Sequence, residues 1–267
     1  MTSALGSEAL APLRQNPARA AILLDIDGTL APIVEQPSNA VVPERTRQLL
    51  AELARRYGAV ACVTGRRASE ARAMVAIGSI SYLGSHGAEL LRAGWTEAQP
   101  DPALEGWRRR IHEFGRQTDT ADLRRLRVRV EDKGAILAYH WRSAPDQKAA
   151  RAAIDAVAAK AEAAGLRTHW GRKVLEVRPP VRIDKGAGIA SFLDGTDVES
   201  AMYVGDDATD LDAFRMLGRL LEEGRLSTAV KVGVRSEEGP EEIVTEADVV
   251  VDGTDGVLEL LSLLASE

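Results

Sequence analysis

The sequence predicts an α/β fold: a parallel-sheet core interrupted by an inserted second α/β domain. Three observations predict it. Short apolar runs at residues 21–24, 59–63 and 80–83 alternate with amphipathic helical segments, the pattern of parallel strands joined by crossover helices. From about residue 104 to 178 the pattern becomes helix, hairpin, helix, hairpin, which pairs strands antiparallel. The parallel pattern then resumes at Lys185. The expected domains are a core of residues 1–103 and 179–267 and an insert of residues 104–178.

The elements follow in order. Residues 1–17 lack the basic-then-apolar pattern of a secretory signal and are expected to form a loose leader. Ala21-Ile22-Leu23-Leu24 is a buried strand that runs into Asp25-Ile26-Asp27-Gly28-Thr29-Leu30. A loop with two prolines, residues 31–38, comes next. Pro43 opens a helix whose Leu49, Leu50, Leu53, Ala54 and Tyr57 share one face, and Gly58 ends it. Strand 59–63 stops at Thr64-Gly65-Arg66, and a helix spans 68–75. Strand 80–83 stops at Gly84-Ser85-His86-Gly87-Ala88-Glu89. In the insert, a polar helix at 104–119 precedes strands 126–131 and 135–141, joined at Asp132-Lys133-Gly134. An alanine-rich helix at 145–164, closed by Gly165, precedes strands 166–170 and 173–178 around Gly171-Arg172. The core resumes with helix 185–193 and strand 201–204, which ends at Gly205-Asp206-Asp207-Ala208-Thr209-Asp210. A helix through Leu217, strands 229–234 and 248–251, and a helix at 258–264 complete it.

Composition narrows the function. A net charge of -6 gives nucleic-acid binding no electrostatic support. No apolar run approaches the roughly 18 residues of a membrane span. Cys62 is the single cysteine, so no disulfide forms within the chain, which suits a reducing, cytoplasmic compartment. The expected partner is a small-molecule substrate, with no nucleic acid and no membrane, for a chain expected to be monomeric.

Asp25 and Asp27 lie two apart on extended backbone, so their side chains point the same way. Two close carboxylates repel, and a hard divalent cation relieves that repulsion. One carboxylate then suits a nucleophile and the other a general acid/base. Thr64 and Asp206, Asp207 and Asp210 follow other core strands, at the carboxyl ends where open α/β sheets place ligands. Lys185 opens a helix beside that crevice. Singly, Thr64 reads as a strand exit, Lys185 as a solvated lysine, and the later aspartates as a helix cap. Together, in this order, they supply what phosphoryl transfer needs: an in-line nucleophile, a cation, a fixed ammonium and a hydroxyl.

Asp25-Ile26-Asp27-Gly28-Thr29, Val63-Thr64-Gly65-Arg66, Lys185 and Gly205-Asp206-Asp207-Ala208-Thr209-Asp210 resemble the four motifs of the haloacid dehalogenase-like hydrolase superfamily. Further segments are similar to the trehalose-6-phosphate phosphatase family. They are Leu30-Ala31-Pro32-Ile33 with Pro37, Gly84 to Glu89, Val130-Glu131-Asp132-Lys133-Gly134 and Lys173-Val174-Leu175-Glu176-Val177-Arg178-Pro179. The resemblance implies a Rossmann-like core with an α/β cap. It implies magnesium-dependent hydrolysis of trehalose 6-phosphate, the last step of trehalose biosynthesis. Asp25 would attack phosphorus, and Asp27 would protonate the leaving oxygen and then activate water. Magnesium (Mg2+) would be held by Asp25, the Asp27 carbonyl and Asp206. Thr64 and Lys185 would bind the phosphoryl group, with Asp207 and Asp210 supporting the metal and Lys185 from behind. Arg66, His86, Glu89, Glu131, Lys133 and Glu176 are the candidate substrate-binding residues. Leu211 stands where the family often has an acidic residue.

Alternative readings are a phosphatase of another sugar phosphate, of the sucrose or mannosylglycerate type, a non-catalytic sugar-phosphate sensor, and a phosphomutase.

Overall fold

A computed structural model describes residues 5–34, 36, 39–101, 104–236 and 239–266, with side chains from residue 8 onward. Residues 1–4 of the expected leader, residues 35, 37 and 38 of the proline loop, and residues 102 and 103 at the expected domain boundary lie outside the described residues. The chain divides into two units, Met1–Gln99 with Asp184–Glu267, and Pro100–Ile183.

In chain order the strands are β1 (Ala20–Leu24), β2 (Ala59–Val63), β3 (Ser81–Gly84), β4 (Glu89–Leu91), β5 (Gln99–Pro100), β6 (Arg129–Asp132), β7 (Leu137–His140), β8 (Arg167–Gly171), β9 (Val174–Arg178), β10 (Ser200–Gly205), β11 (Thr228–Arg235) and β12 (Val249–Asp252). The helices are α1 (Leu5–Gln15), α2 (Glu44–Arg56), α3 (Ala68–Val75), α4 (Glu105–Thr118), α5 (Ala121–Arg125), α6 (Gln147–Ala163), α7 (Lys185–Leu193), α8 (Asp210–Glu222), α9 (Glu241–Thr245) and α10 (Gly253–Ala265).

The first unit is built on a sheet in the order β12-β11-β10-β1-β2-β3-β4-β5. It is parallel from β12 to β3 and turns antiparallel at β4. β1 lies between β10 and β2, with Leu24 level with Val204 and Cys62. Both faces of β1 are covered, which is why it reads as an unbroken apolar run. Ile22 and Leu24 join a core with Leu49, Leu53, Leu260 and Leu264; Ala21 and Leu23 join another with Ile189, Phe192, Phe214 and Leu217.

Three expectations in this unit are corrected. The leader is not loose: α1 packs Leu10 and Leu13 into the first of those cores, although Pro12 inside it argues against a helix. Glu89, expected in a turn, begins β4. Gly58 does not end α2 by adopting a left-handed conformation. It is required because a Cβ there would lie 2.2 Å from the Ala18 carbonyl oxygen.

In the second unit the sheet runs β6-β7-β9-β8, antiparallel throughout. Ile111 and Phe114 of α4 and Ile154 and Val157 of α6 pack with Tyr139 and Leu175. Strand alternation therefore turns Glu131, His140 and Glu176 to the other face. The expected strand 126–131 is shorter here. Thr120 caps α5 by accepting the Leu123 N–H, Leu123 is buried, and Arg127 takes a left-handed turn with φ 55° before β6 begins. Gly165 does close the alanine-rich helix, with φ 72°.

Candidate active site

Because β1, β2 and β10 are parallel, their carboxyl ends share one edge of the sheet, and Asp25, Thr64 and Asp206 each follow one of them. The Asp25 N–H continues the ladder to the Val204 carbonyl at 2.9 Å. The chain then folds back, with the Leu30 and Ala31 N–H groups both donating to the Ile26 carbonyl at 2.9 and 2.8 Å. Gly28 makes this possible: its φ is 89°, and a Cβ there would meet Asp206 Oδ2 at 2.1 Å. Thr29 donates its hydroxyl to Asp206 Oδ1 at 3.1 Å.

Lys185 stands at the start of α7, which Asp184 caps through the Ala187 N–H at 2.8 Å. Its Nζ donates to Asp25 Oδ1 at 2.8 Å and to Asp210 Oδ1 at 2.6 Å, and lies 4.0 Å from Asp207 Oδ1. Asp210 is fully committed. Its Oδ1 also accepts the Tyr203 hydroxyl, and its Oδ2 accepts the backbone N–H groups of Asp206 and Asp207, each at 2.9 Å. Asp207 Oδ1 accepts the Thr209 N–H and hydroxyl.

Asp25, Asp206 and Asp210 are all buried, and one carboxylate oxygen from each lies within 4.8 Å of the others. Burial drives the Asp25 carboxyl well above its ordinary range, and Lys185 only partly offsets this. Burial, then the charges of Asp210 and Asp207, raise Asp206 to about 7. Burial also pushes Asp207 upward, but Lys185 and the Thr209 donors hold it below its usual value. Lys185 is disfavoured as a cation by burial, yet Asp210 and Asp25 outweigh that and raise it. Three buried carboxylates thus face one ammonium. That surplus of negative charge on hard oxygen donors fits a metal cation. With Asp210 spent on Lys185, Tyr203 and two amides, Asp25 and Asp206 are the carboxylates left to hold it.

The second strand end supplies a different set. Thr64 is buried and its hydroxyl accepts the Arg66 N–H at 3.2 Å. Arg66, expected to bind substrate, grips Asp27 with its fork: Nε to Oδ2 and Nη2 to Oδ1, both at 2.6 Å. Ser85, His86 and Gly87 take successive left-handed conformations, φ 51°, 58° and 92°. The Ser85 and His86 N–H groups donate to the carbonyls of Arg66 and Thr64. The His86 imidazole lies over Gly65, where a Cβ would come within 2.8 Å of its Nε2. Glu89 Oε1 accepts the Ala68 N–H at 2.7 Å and so caps α3.

Glu131, Lys133 and Glu176 form a separate group in the second unit. Lys133 lies 3.4 Å from Glu176 Oε1, and Arg178 pairs with Glu176 Oε2. His140 Nε2 meets Glu131 Oε2 at 2.9 Å. His140 holds the Glu131 carboxyl down to about 2, against the cost of burial and with help from Lys133 and Arg129.

Sequence reasoning missed Tyr203, Thr29 and His140. Tyr203 left a readable signal, since a phenol in an otherwise apolar buried strand needs a partner. Thr29 stood inside the first motif without a role of its own, and His140 gave no signal before its cross-strand partner was known.

A family model described as trehalose-phosphatase matches residues 23–254. Two Mycobacterium tuberculosis proteins described as uncharacterized glycosyl hydrolases are 34% identical over 206 residues, 73% of this chain but 15% of theirs. A probable trehalose-phosphate phosphatase of Sinorhizobium fredii is 32% identical over 233 residues, 82% of this chain and 81% of that one. The solved C-terminal domain of Candida albicans trehalose-6-phosphate phosphatase superposes with a TM-score of 0.70 over 99% of both chains at 21% identity, a likeness of fold.

Proposed function

Since this chain belongs to the trehalose-phosphatase family, we propose that it hydrolyses trehalose 6-phosphate to trehalose and inorganic phosphate through an aspartyl-phosphate on Asp25. The observation that carries the reading is the buried group of Asp25, Lys185, Asp206 and Asp210 at the carboxyl ends of parallel strands. An Asp25 carboxylate oxygen bonds to phosphorus as the bond from phosphorus to the sugar oxygen breaks. Asp27 gives a proton to that oxygen, and trehalose leaves. Asp27 then takes a proton from water, whose oxygen bonds to phosphorus as the bond to Asp25 breaks.

Lys185 fixes Asp25 for attack and places a positive charge where the phosphoryl oxygens gather it. Thr64 offers its hydroxyl proton to the same group. Arg66 covers both oxygens of Asp27, so the fork opens on one side before Asp27 meets the sugar oxygen. Asp25 and Asp206, with the Asp27 carbonyl, hold magnesium, which supplies neutralising charge to the phosphoryl oxygens. Asp210 and Asp207 hold Lys185 and the Asp206 turn. Glu131, Lys133 and Glu176 bind sugar hydroxyls, with His86 a further contact; Glu89 acts through the cap of α3. The protein works as a cytoplasmic monomer, and its single thiol, Cys62, is buried.

The test is phosphate release from a panel of sugar phosphates, with magnesium or with chelator. Trehalose 6-phosphate is the preferred substrate, and Asp25→Asn abolishes turnover while the circular dichroism spectrum is kept. Preference for sucrose or mannosylglycerate phosphate would replace the substrate, isomerised sugar phosphate would indicate a mutase, and binding without turnover would indicate a sensor.

A further inference from the structure

The polar face of the second unit treats its two carboxylates differently. Glu176 is 7% exposed and has both oxygens engaged, Oε1 by Lys133 and Oε2 by Arg178. Two hydrogen-bearing neighbours meet Glu131 on one oxygen: His140 Nε2 at 2.9 Å and Arg129 Nη2 at 3.1 Å both reach Oε2. Among the described residues, no hydrogen bond falls on Glu131 Oε1. An ionised carboxylate only accepts, so His140 Nε2 carries the hydrogen that fixes Oε2. His140 is the stiffer of the two holders, since it lies across the strand from Arg129 on β7 and its side chain is 30% exposed against 67% for Arg129.

We infer that His140 is a specificity-determining positioning residue: by tying Glu131 Oε2 it aims Glu131 Oε1 at a hydroxyl of the sugar. The inference rests on the proposed sugar-phosphate reading. A sugar hydroxyl donates to Oε1, while the donors of Lys133 and Arg178 not spent on Glu176 serve sugar oxygens. His140 takes no part in bond-making at phosphorus. Without it, the Glu131 side chain recovers its rotamers and the aim is lost, which weakens recognition of the sugar and leaves phosphoryl chemistry unchanged.

The experiment compares His140→Phe, His140→Gln and wild type on trehalose 6-phosphate and on 4-nitrophenyl phosphate, an ester without the sugar. His140→Phe keeps the ring shape without a donor; His140→Gln returns an amide N–H near the position of Nε2. The expected result is a KM for trehalose 6-phosphate raised about tenfold in His140→Phe, the equivalent of one charge-assisted hydrogen bond. kcat on that substrate changes little, kcat/KM for the aryl ester stays within about twofold, and His140→Gln recovers most of the KM. Parallel losses on both substrates, or an unchanged KM in His140→Phe, overturn the inference. Wild-type inactivity toward trehalose 6-phosphate with turnover of another sugar phosphate would instead sink the substrate assignment, and the His140 comparison is then read on that sugar phosphate.

Discussion

Asp206 sits against the Gly28 backbone with no room between them. Gly28→Ala puts a methyl group 2.1 Å from Asp206 Oδ2 and a side chain at φ 89°, so carboxylate and turn must both shift. The substitution is predicted to destabilise by about 1–3 kcal/mol in urea unfolding and to lower phosphate release far more than that loss explains. A fully folded, fully active Gly28→Ala would show that the Asp206 position is unimportant. Glu131 gives a pH-dependent counterpart. Its folded carboxyl lies at about 2 against an ordinary 4.5, so the fold favours the ionised form. That stabilisation is complete above pH 4.5 and is lost as pH falls toward about 2. Thermal melting should therefore show wild type above Glu131→Gln at neutral pH, with the gap closing as the solution is acidified across that window. A gap that widens on acidification would contradict the pairing with His140.

At the scale of elements, the device that positions Lys185 is a glycine contact. Gly188 of α7 meets Gly87 so closely that a Cβ on Gly188 would lie 2.6 Å from the Gly87 Cα. Gly188→Ala therefore moves the helix that carries Lys185, or the left-handed bend that holds Thr64 and Arg66. The prediction is a loss of about 1–3 kcal/mol with a fall in kcat that exceeds any change in KM. A stable variant with unchanged kcat would disprove the role of this contact. α1 makes a purely structural prediction: Leu10 is fully buried, so Leu10→Ala should cost about 2–5 kcal/mol in unfolding while the site chemistry is spared. The same elements show what could be read in advance. Strands β1, β2 and β10 were legible because each is buried on both faces and ends in a polar motif. β4, β5 and α9 were not, because each is too short to show a period and is held by tertiary contacts, and α1 was not, because Pro12 lies inside it and argues against a helix. α5 hid for the same reason as those short elements: its five residues, Ala121–Arg125, are too few to show a period, and the Thr120 cap and buried Leu123 hold it.

At the scale of the molecule, the chain brings Asp25, Lys185 and Asp210 together across 185 residues of sequence because the parallel sheet resumes after the second unit. The aspartates and Lys185 were legible as a set from their strand-end spacing. The division of labour among them was not: that Asp210 serves Lys185 and two amides, and that Arg66 is forked onto Asp27, follows from hydrogen bonds that no spacing encodes. The surplus negative charge of the group also predicts that magnesium raises the Tm of wild type, and raises that of Asp206→Asn much less. The most direct measurement is phosphate released from trehalose 6-phosphate by wild type and Asp25→Asn, each with magnesium and with chelator. The account predicts rapid release only from wild type with magnesium. Comparable release from Asp25→Asn, or from wild type stripped of divalent metal, would contradict it.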